Sequence, residues 1–210
     1  MIRRTYLDTA AVAVDLLDHP AIAAAWDMPS ALQAFTVAGL AGHLARQVLN
    51  VPGVVTVPAP DARPITLLEH YTRSRWRGGG IDDETNVRIR HDGAREAAAG
   101  RTELVTRTAA ALEQLRVTLP QVEPGTPVHL PWAGWSLSLD DFLVTRMLEL
   151  TVHCDDLAVS VGVETPAPPA AAVDAVVTLL ARLAVQRHGV TQVLRALSRA
   201  ERAPATIAAI

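Results

Sequence analysis

The stretch RMLELTVHCDDLAVSVG, from Arg146 to Gly162, decides how this 210-residue chain is read. It has the pattern of a helix that is apolar nearly all round, yet Glu149 and His153 stand four residues apart within it. With about 3.6 residues per turn, positions i and i+4 stack on one face. At about 100° per residue, Leu143, Met147, Leu150, Cys154, Leu157 and Val161 form one apolar stripe, and Leu148, Val152 and Val159 extend it to the far side. Polar residues are confined to one flank: Arg146, Glu149, His153 and Asp156. A helix apolar on most sides is normally buried, so this flank is expected to face the interior, where carboxylates and imidazoles are costly unless paired or metal-bound. Two readings stay open. Glu149 pairs with His153 or Arg146 for structure alone, E-x-x-x-H being short and common, or Glu149 and His153 together hold a transition-metal ion.

Working outward, helical period dominates the chain. Ser138 or Asp140 caps the helix just described, which runs to Gly162. Before it, PGTPVHLPWAGWSLSL is the one place where extended structure is expected. An Ala-rich helical segment covers about residues 6–26, with Pro20 marking a break or a new start. WDMPSALQAF then reads as a connector. Thr36 caps VAGLAGHLARQVLNV, which Pro52 and Gly53 terminate. A Pro-rich connector at 58–64, the helix ITLLEHYTRSRWR and a flexible loop at Gly78, Gly79 and Gly80 follow. A long helical segment over about 87–119 is weakened near Asp92 and Gly93. After the linker-like TPAPPAAA, helices are expected at 170–187 and 190–200, and ERAPATIAAI carries no structure signal. Four substantial helices before Pro166 with mostly short connections predict an all-α, antiparallel four-helix bundle over residues 1–165, with a short C-terminal helical extension over 166–210.

The second patterned helix supplies a third polar candidate. Val37, Leu40, Leu44, Val48 and Val51 fall on one stripe, and His43 lies at its edge. An inward His43 would complete a set of two His and one Glu with a fourth position open, as catalytic zinc uses; a boundary imidazole is the alternative.

Composition narrows the classes. Hydrophobic residues make up 50% and charged residues 20%, the balance of a globular chain rather than a disordered one. The formal charge of −3 argues against a nucleic-acid surface, and all 19 basic residues are Arg. The single Cys154 cannot form an intramolecular disulfide. No secretory h-region and no transmembrane-length apolar run is visible, so a cytoplasmic protein without a membrane partner is expected.

LVTRMLELTVHCDDL resembles the R-x-x-E-x-x-x-H-x-x-D-L signature of the mycothiol-dependent maleylpyruvate isomerase N-terminal domain family, within the wider DinB/YfiT-like metalloenzyme superfamily. Trp26, Pro29 and Ser30, the run TVAGLAGHLARQ, and VHLPWAGWSLSLDDFLVTR also resemble that family. The resemblance spans about residues 5–162 and implies a DinB/YfiT-like bundle. It also implies a metal, zinc before other divalent ions, held by His43, Glu149 and His153. Glu at 149 favours the mycothiol-linked branch, since DinB-type proteins show H-x-x-x-H there. The implied activity is metal-dependent use of a low-molecular-weight thiol, mycothiol, for S-transfer to, or isomerisation of, a small electrophile. A non-catalytic metal-binding module and a metal-assisted hydrolase are the alternatives, and a homodimer is compatible with each. Asp156 would accept the second N–H of a ligand His, and Arg146 would orient Glu149 or bind an anionic substrate; an interior salt bridge is the alternative for both. The C-P-G-W run often found ahead of the first ligand helix is replaced by ALQAF. The family's isomerases also carry a C-terminal domain that contributes an arginine. Here Arg182, Arg187, Arg195 and Arg199 stand in 166–210, with no motif that selects one.

The remaining candidates read as structural. Cys154 projects toward the apolar stripe as a small core residue. Trp132 and Trp135 are expected to pack in the core, with a pocket wall as the alternative. Glu69, His70 and Tyr71 read as a helical face, and His19, His91, His129 and His188 lack ligand spacing. The glycines at 78–80 are not a phosphate loop, since no G-K-[ST] follows.

Overall fold

The computed structural model of the chain describes residues 1–57, 63–74 and 80–210. The fold is mostly helical. Helix α1 (Ile2–Leu17) leads to the short α2 (Pro20–Ala24), which Pro20 opens as expected, His19 accepting the Ala21 N–H at its cap. Helix α3 (Val37–Leu49) starts at Thr36, whose hydroxyl accepts from the Gly39 N–H. Pro52 and Gly53 do not end α3 from outside; they lie in the first turn of α4 (Val51–Thr56). Proline is tolerated there because the first-turn N–H groups need no helical partner. Helix α5 (Leu67–Arg73) opens with a Thr66–Glu69 capping box. The expected continuation through Arg75, Trp76 and Arg77, the glycines at 78 and 79, and most of the Pro-rich connector lie outside the described residues.

The single long helix expected over 87–119 is two: α6 (Glu84–Ala97) and α7 (Arg101–Thr118). The chain breaks at Gly100, whose φ of +91° suits glycine, and not at Gly93. Gly93 lies inside α6, where its backbone meets α3: a Cβ built on Gly42 would come 2.0 Å from the Gly93 carbonyl oxygen. The extended segment is an antiparallel hairpin of β1 (Pro127–Leu130) and β2 (Trp135–Ser138), with Val128 opposite Leu137 and Leu130 opposite Trp135. The Ile65 N–H donates to the Ser136 carbonyl and ties the approach to α5 onto β2.

Ser138 then caps α8 (Leu139–Val161) by accepting from the Asp141 N–H, and Gly162 ends it in the left-handed conformation. Helices α1, α3, α7 and α8 pack on one another, α6 lies on α3, and α5 reaches α8. Helices α9 (Ala170–His188) and α10 (Val190–Ser198) follow, α9 burying Ala172, Val176, Leu179 and Leu183 and touching α1, α5 and α8. Ala209, in the tail without a sequence signal, is also buried. The expected stripes supply most of the core where α3 packs on α8: Val37, Leu40, Leu44 and Val48 on α3, Val51 at the start of α4, and Leu143, Met147, Leu150, Cys154 and Leu157 on α8 are buried, while Val161 near the end of α8 is only partly so. Burying such side chains contributes roughly 1.5–3 kcal/mol each, which sets the spacing at which polar groups of α3 and α8 meet. Among the described residues no helix is long and apolar enough to cross a membrane.

Candidate metal centre

Helix α3 carries His43 to α8, where Glu149 and His153 share one flank. Oε2 of Glu149 lies 3.5 Å from Nε2 of His43 and 3.2 Å from Nε2 of His153. The imidazoles meet edge to face with centroids 4.7 Å apart. One ligand atom from each residue lies within 4.8 Å of the others, the one such group of His, Cys, Asp and Glu among the described residues. Their side chains are 12%, 16% and 15% exposed, so a small ligand reaches the group while bulk water is largely kept off.

The donor chemistry fits a divalent ion. Both imidazoles aim Nε2 at the same carboxylate oxygen, and two His with one Glu is a set that catalytic zinc uses. Nδ1 of His153 lies 2.9 Å from Oδ2 of Asp156, so Asp156 accepts its N–H as the sequence suggested. That bond leaves the Nε2 lone pair of His153 for a ligand.

Burial and hydrogen bonding pull the three groups in opposite directions. Burial alone would raise the Glu149 carboxyl, but hydrogen bonds from His153 and His43 outweigh it and hold the group well below the usual carboxylate range. Burial would lower His153, but bonds to Asp156 and Glu149 push it up to about 9. The stability that these bonds contribute through His153 is therefore full below its ordinary value of 6.5 and lost as pH rises through about 9. His43 is held below its ordinary value, chiefly by burial.

Arg146 does not pair with Glu149 or any other carboxylate among the described residues. Its Nη1 donates to Oε1 of Gln47 at 2.6 Å, its Nε donates to Oγ1 of Thr145 at 3.1 Å, and its guanidinium lies 5.2 Å from the Phe142 ring centroid. Gln47 was missed in the sequence, although it stands one turn after His43 on α3. Only its burial, at 3% exposure, marks it as more than a surface amide.

Trp132 is half exposed at the hairpin turn and packs in no core, because the tight turn through Ala133 and Gly134 carries it outward. Trp135 is partly buried, and its indole N–H donates to Nδ1 of His70 at 3.0 Å. His70 is thus no simple helical-face residue: hairpin and α8 close over it, leaving it 7% exposed. Cys154 is buried as expected, and burial pushes its thiol up to about 12.

Burial lowers His70 to about 4, the Arg146 charge adding to the effect and Glu149 opposing it. Below its ordinary value of 6.5 the unfolded chain takes up a proton that folded His70 refuses until about pH 4. Stability is full above that window and falls within it, at most by about 1.4 kcal/mol per pH unit. Denaturant titrations of wild type and His70→Gln should therefore diverge across the window, the wild type losing roughly 2–3 kcal/mol more. Parallel pH profiles would remove His70 as the cause.

The family model of the mycothiol maleylpyruvate isomerase N-terminal domain matches residues 7–158 of this chain. The chain belongs to that family. The mycothiol maleylpyruvate isomerase N-terminal domain match takes in α3 and most of α8, hence His43, Glu149 and His153, and leaves α9 and α10 beyond it. No curated protein and no solved structure matches the chain at a significant level.

Proposed function

We propose that this protein is a divalent-metal enzyme, with zinc as the ion, that uses mycothiol to transfer sulfur to, or isomerise, a small electrophile. The observation that carries this reading is the convergence of His43, Glu149 and His153 from two helices on one oxygen-centred point, within a chain of the mycothiol-linked family. In this reading residues 1–165 are a DinB/YfiT-like antiparallel four-helix bundle with α1, α3, α7 and α8 as its helices, and 166–210 are a C-terminal extension. The setting is cytoplasmic and the partners are small molecules, neither nucleic acid nor membrane.

His43, Glu149 and His153 would hold the ion. Bound there, a divalent ion supplies the Lewis acidity that lets a coordinated thiol lose its proton near neutral pH. The chain's own residues prepare the place. Asp156 fixes the ring of His153, Glu149 stays ionised, and the apolar walls of α3 and α8 limit competing water. The Nη2 donors of Arg146, which make no hydrogen bond among the described residues, support a role in receiving an anionic group of the thiol or the electrophile. The nucleophile has to come from outside, since Cys154 is buried with a strongly raised pKa.

Cobalt-loaded protein titrated with mycothiol tests this reading. Saturable, roughly one-to-one growth of sulfur-to-metal charge-transfer absorption is the expected outcome. A cobalt spectrum indifferent to mycothiol would overturn the thiol chemistry and leave water-based hydrolysis or a non-catalytic role.

A further inference from the structure

Arg146 presents a problem that the metal reading has to solve. It precedes Glu149 by three residues on α8, the spacing at which a helix brings opposite charges together. A partly buried guanidinium released beside a largely buried carboxylate would pair with it in preference to any neutral acceptor. That pair would occupy the one anionic donor of the metal centre. Yet the two make no ion pair among the described contacts.

The guanidinium is held back along the helix instead. It lies over Phe142, four residues toward the N-terminus, while Glu149 lies three residues toward the C-terminus. Thr145, almost fully buried, accepts from its Nε and donates its own hydroxyl to the Phe142 carbonyl. The anchor from outside α8 is Gln47. Its Oε1 accepts from Nη1 of Arg146 at 2.6 Å, a short charge-assisted bond. Its Nε2 donates to the His43 carbonyl at 2.9 Å, which leaves the amide one orientation. Its own backbone carbonyl accepts from the fully buried Tyr6 hydroxyl at 3.0 Å. Gln47 therefore joins α1, α3 and α8 one turn from His43 and at the level of Arg146, with little freedom of its own.

We propose that Gln47 is a positioning residue of the metal centre: by holding the Arg146 guanidinium back over Phe142, it keeps Glu149 free of an ion pair and open to the ion. This inference rests on the metal reading above. It assigns Arg146 two alternative places, one compatible with metal at Glu149 and one competing with it, and makes the Gln47 amide the group that chooses between them.

Zinc affinity, measured by chelator competition on the full chain alongside thermal unfolding, tests it. Gln47→Leu should weaken zinc binding about 10–100-fold. Arg146→Met in the same background removes the competing charge and should restore binding to within about threefold of wild type. Deleting Arg146 also relieves any structural cost of leaving its charge unpaired, so the unfolding temperature separates the two roles: a zinc loss that merely follows a lowered melting temperature overturns the proposal, as do a double variant as weak as Gln47→Leu and unchanged affinity in Gln47→Leu. Should Gln47→Leu fail to fold, Gln47→Glu and Gln47→Asn carry the test. The first keeps an acceptor at full length and should retain zinc; the second is too short to reach Arg146 and should lose about tenfold. Equal affinities for those two overturn the proposal. Wild-type protein that does not bind zinc overturns the metal reading itself, an outcome separate from any difference among the variants.

Discussion

His153→Ala is expected to purify without bound zinc, whereas wild-type protein isolated without chelator should carry close to one equivalent. Binding in four-ligand zinc sites is worth roughly 10–16 kcal/mol, or a few kcal/mol per ligand, so losing one of three protein donors should weaken affinity by about a thousandfold or more. The substitution acts twice here. It removes Nε2 from beside Glu149, and it leaves Asp156 without the N–H it accepts. His91→Ala, at an exposed position on α6, is the control and should keep the metal. Elemental analysis of the three proteins settles the matter: metal retained in His153→Ala, or absent from wild type, would dispose of the triad as a metal centre.

Adding a single methyl group at the crossing of α3 and α6 should cost more stability than most side-chain truncations. A Cβ on Gly42 would lie 2.0 Å from the Gly93 carbonyl oxygen, and one on Gly93 would lie 2.5 Å from the Gly39 carbonyl oxygen. The obstacle is backbone in both cases, so no rotamer change relieves it and the helices must separate. Overpacking costs typically 1–3 kcal/mol and more where relaxation is blocked. Gly42→Ala is therefore expected to lose about 3 kcal/mol or more, despite the gain of up to about 1 kcal/mol that Ala brings to a helix interior. In a chain of this size that lowers Tm by roughly 10 °C. Gly53→Ala is the counterpart: nothing lies within 4 Å of its Cβ, so it should be neutral or slightly stabilising. Equal melting temperatures for the two variants would contradict the close crossing. Gly93 also faces His43, whose Cβ and backbone nitrogen lie 3.2 Å from a Cβ built there. Gly93→Ala should accordingly weaken zinc binding as well as stability.

These two outcomes differ in how far the sequence foretold them. Glu149 and His153 lie on one helical face because of a spacing of four, a property of any α-helix, so two of the three residues of the candidate centre were legible from spacing alone, and the family resemblance pointed to His43 as the third. Thr36 and Ser138 were readable as helix starts for the same reason, since a cap is satisfied by donors two or three residues away. The crossing glycines were not legible. Gly93 looked like a weak point in a long helix, because intrinsic propensity records the missing side chain and not the neighbouring backbone that needs the space. Nor was the break at Gly100 separable from Gly93 by composition; it depends on which glycine the packing leaves free to take a positive φ. His70 is the same lesson in another place. Its spacing marked nothing, and only the hairpin, arriving some 65 residues later, supplies the indole that makes it a buried, neutral imidazole.

What the sequence determined by itself is local: the helices and their caps, the apolar stripes of α3 and α8, the shared face of Glu149 and His153, and the family signature they carry. The tertiary structure alone decided that His43 reaches Glu149, that Gln47 takes Arg146 away from it, and that α3 and α6 touch through bare backbone. The physical reason is range. Backbone geometry links residues three or four apart whatever surrounds them, whereas contacts between positions 43 and 149, 47 and 146, or 42 and 93 exist only once whole helices have packed.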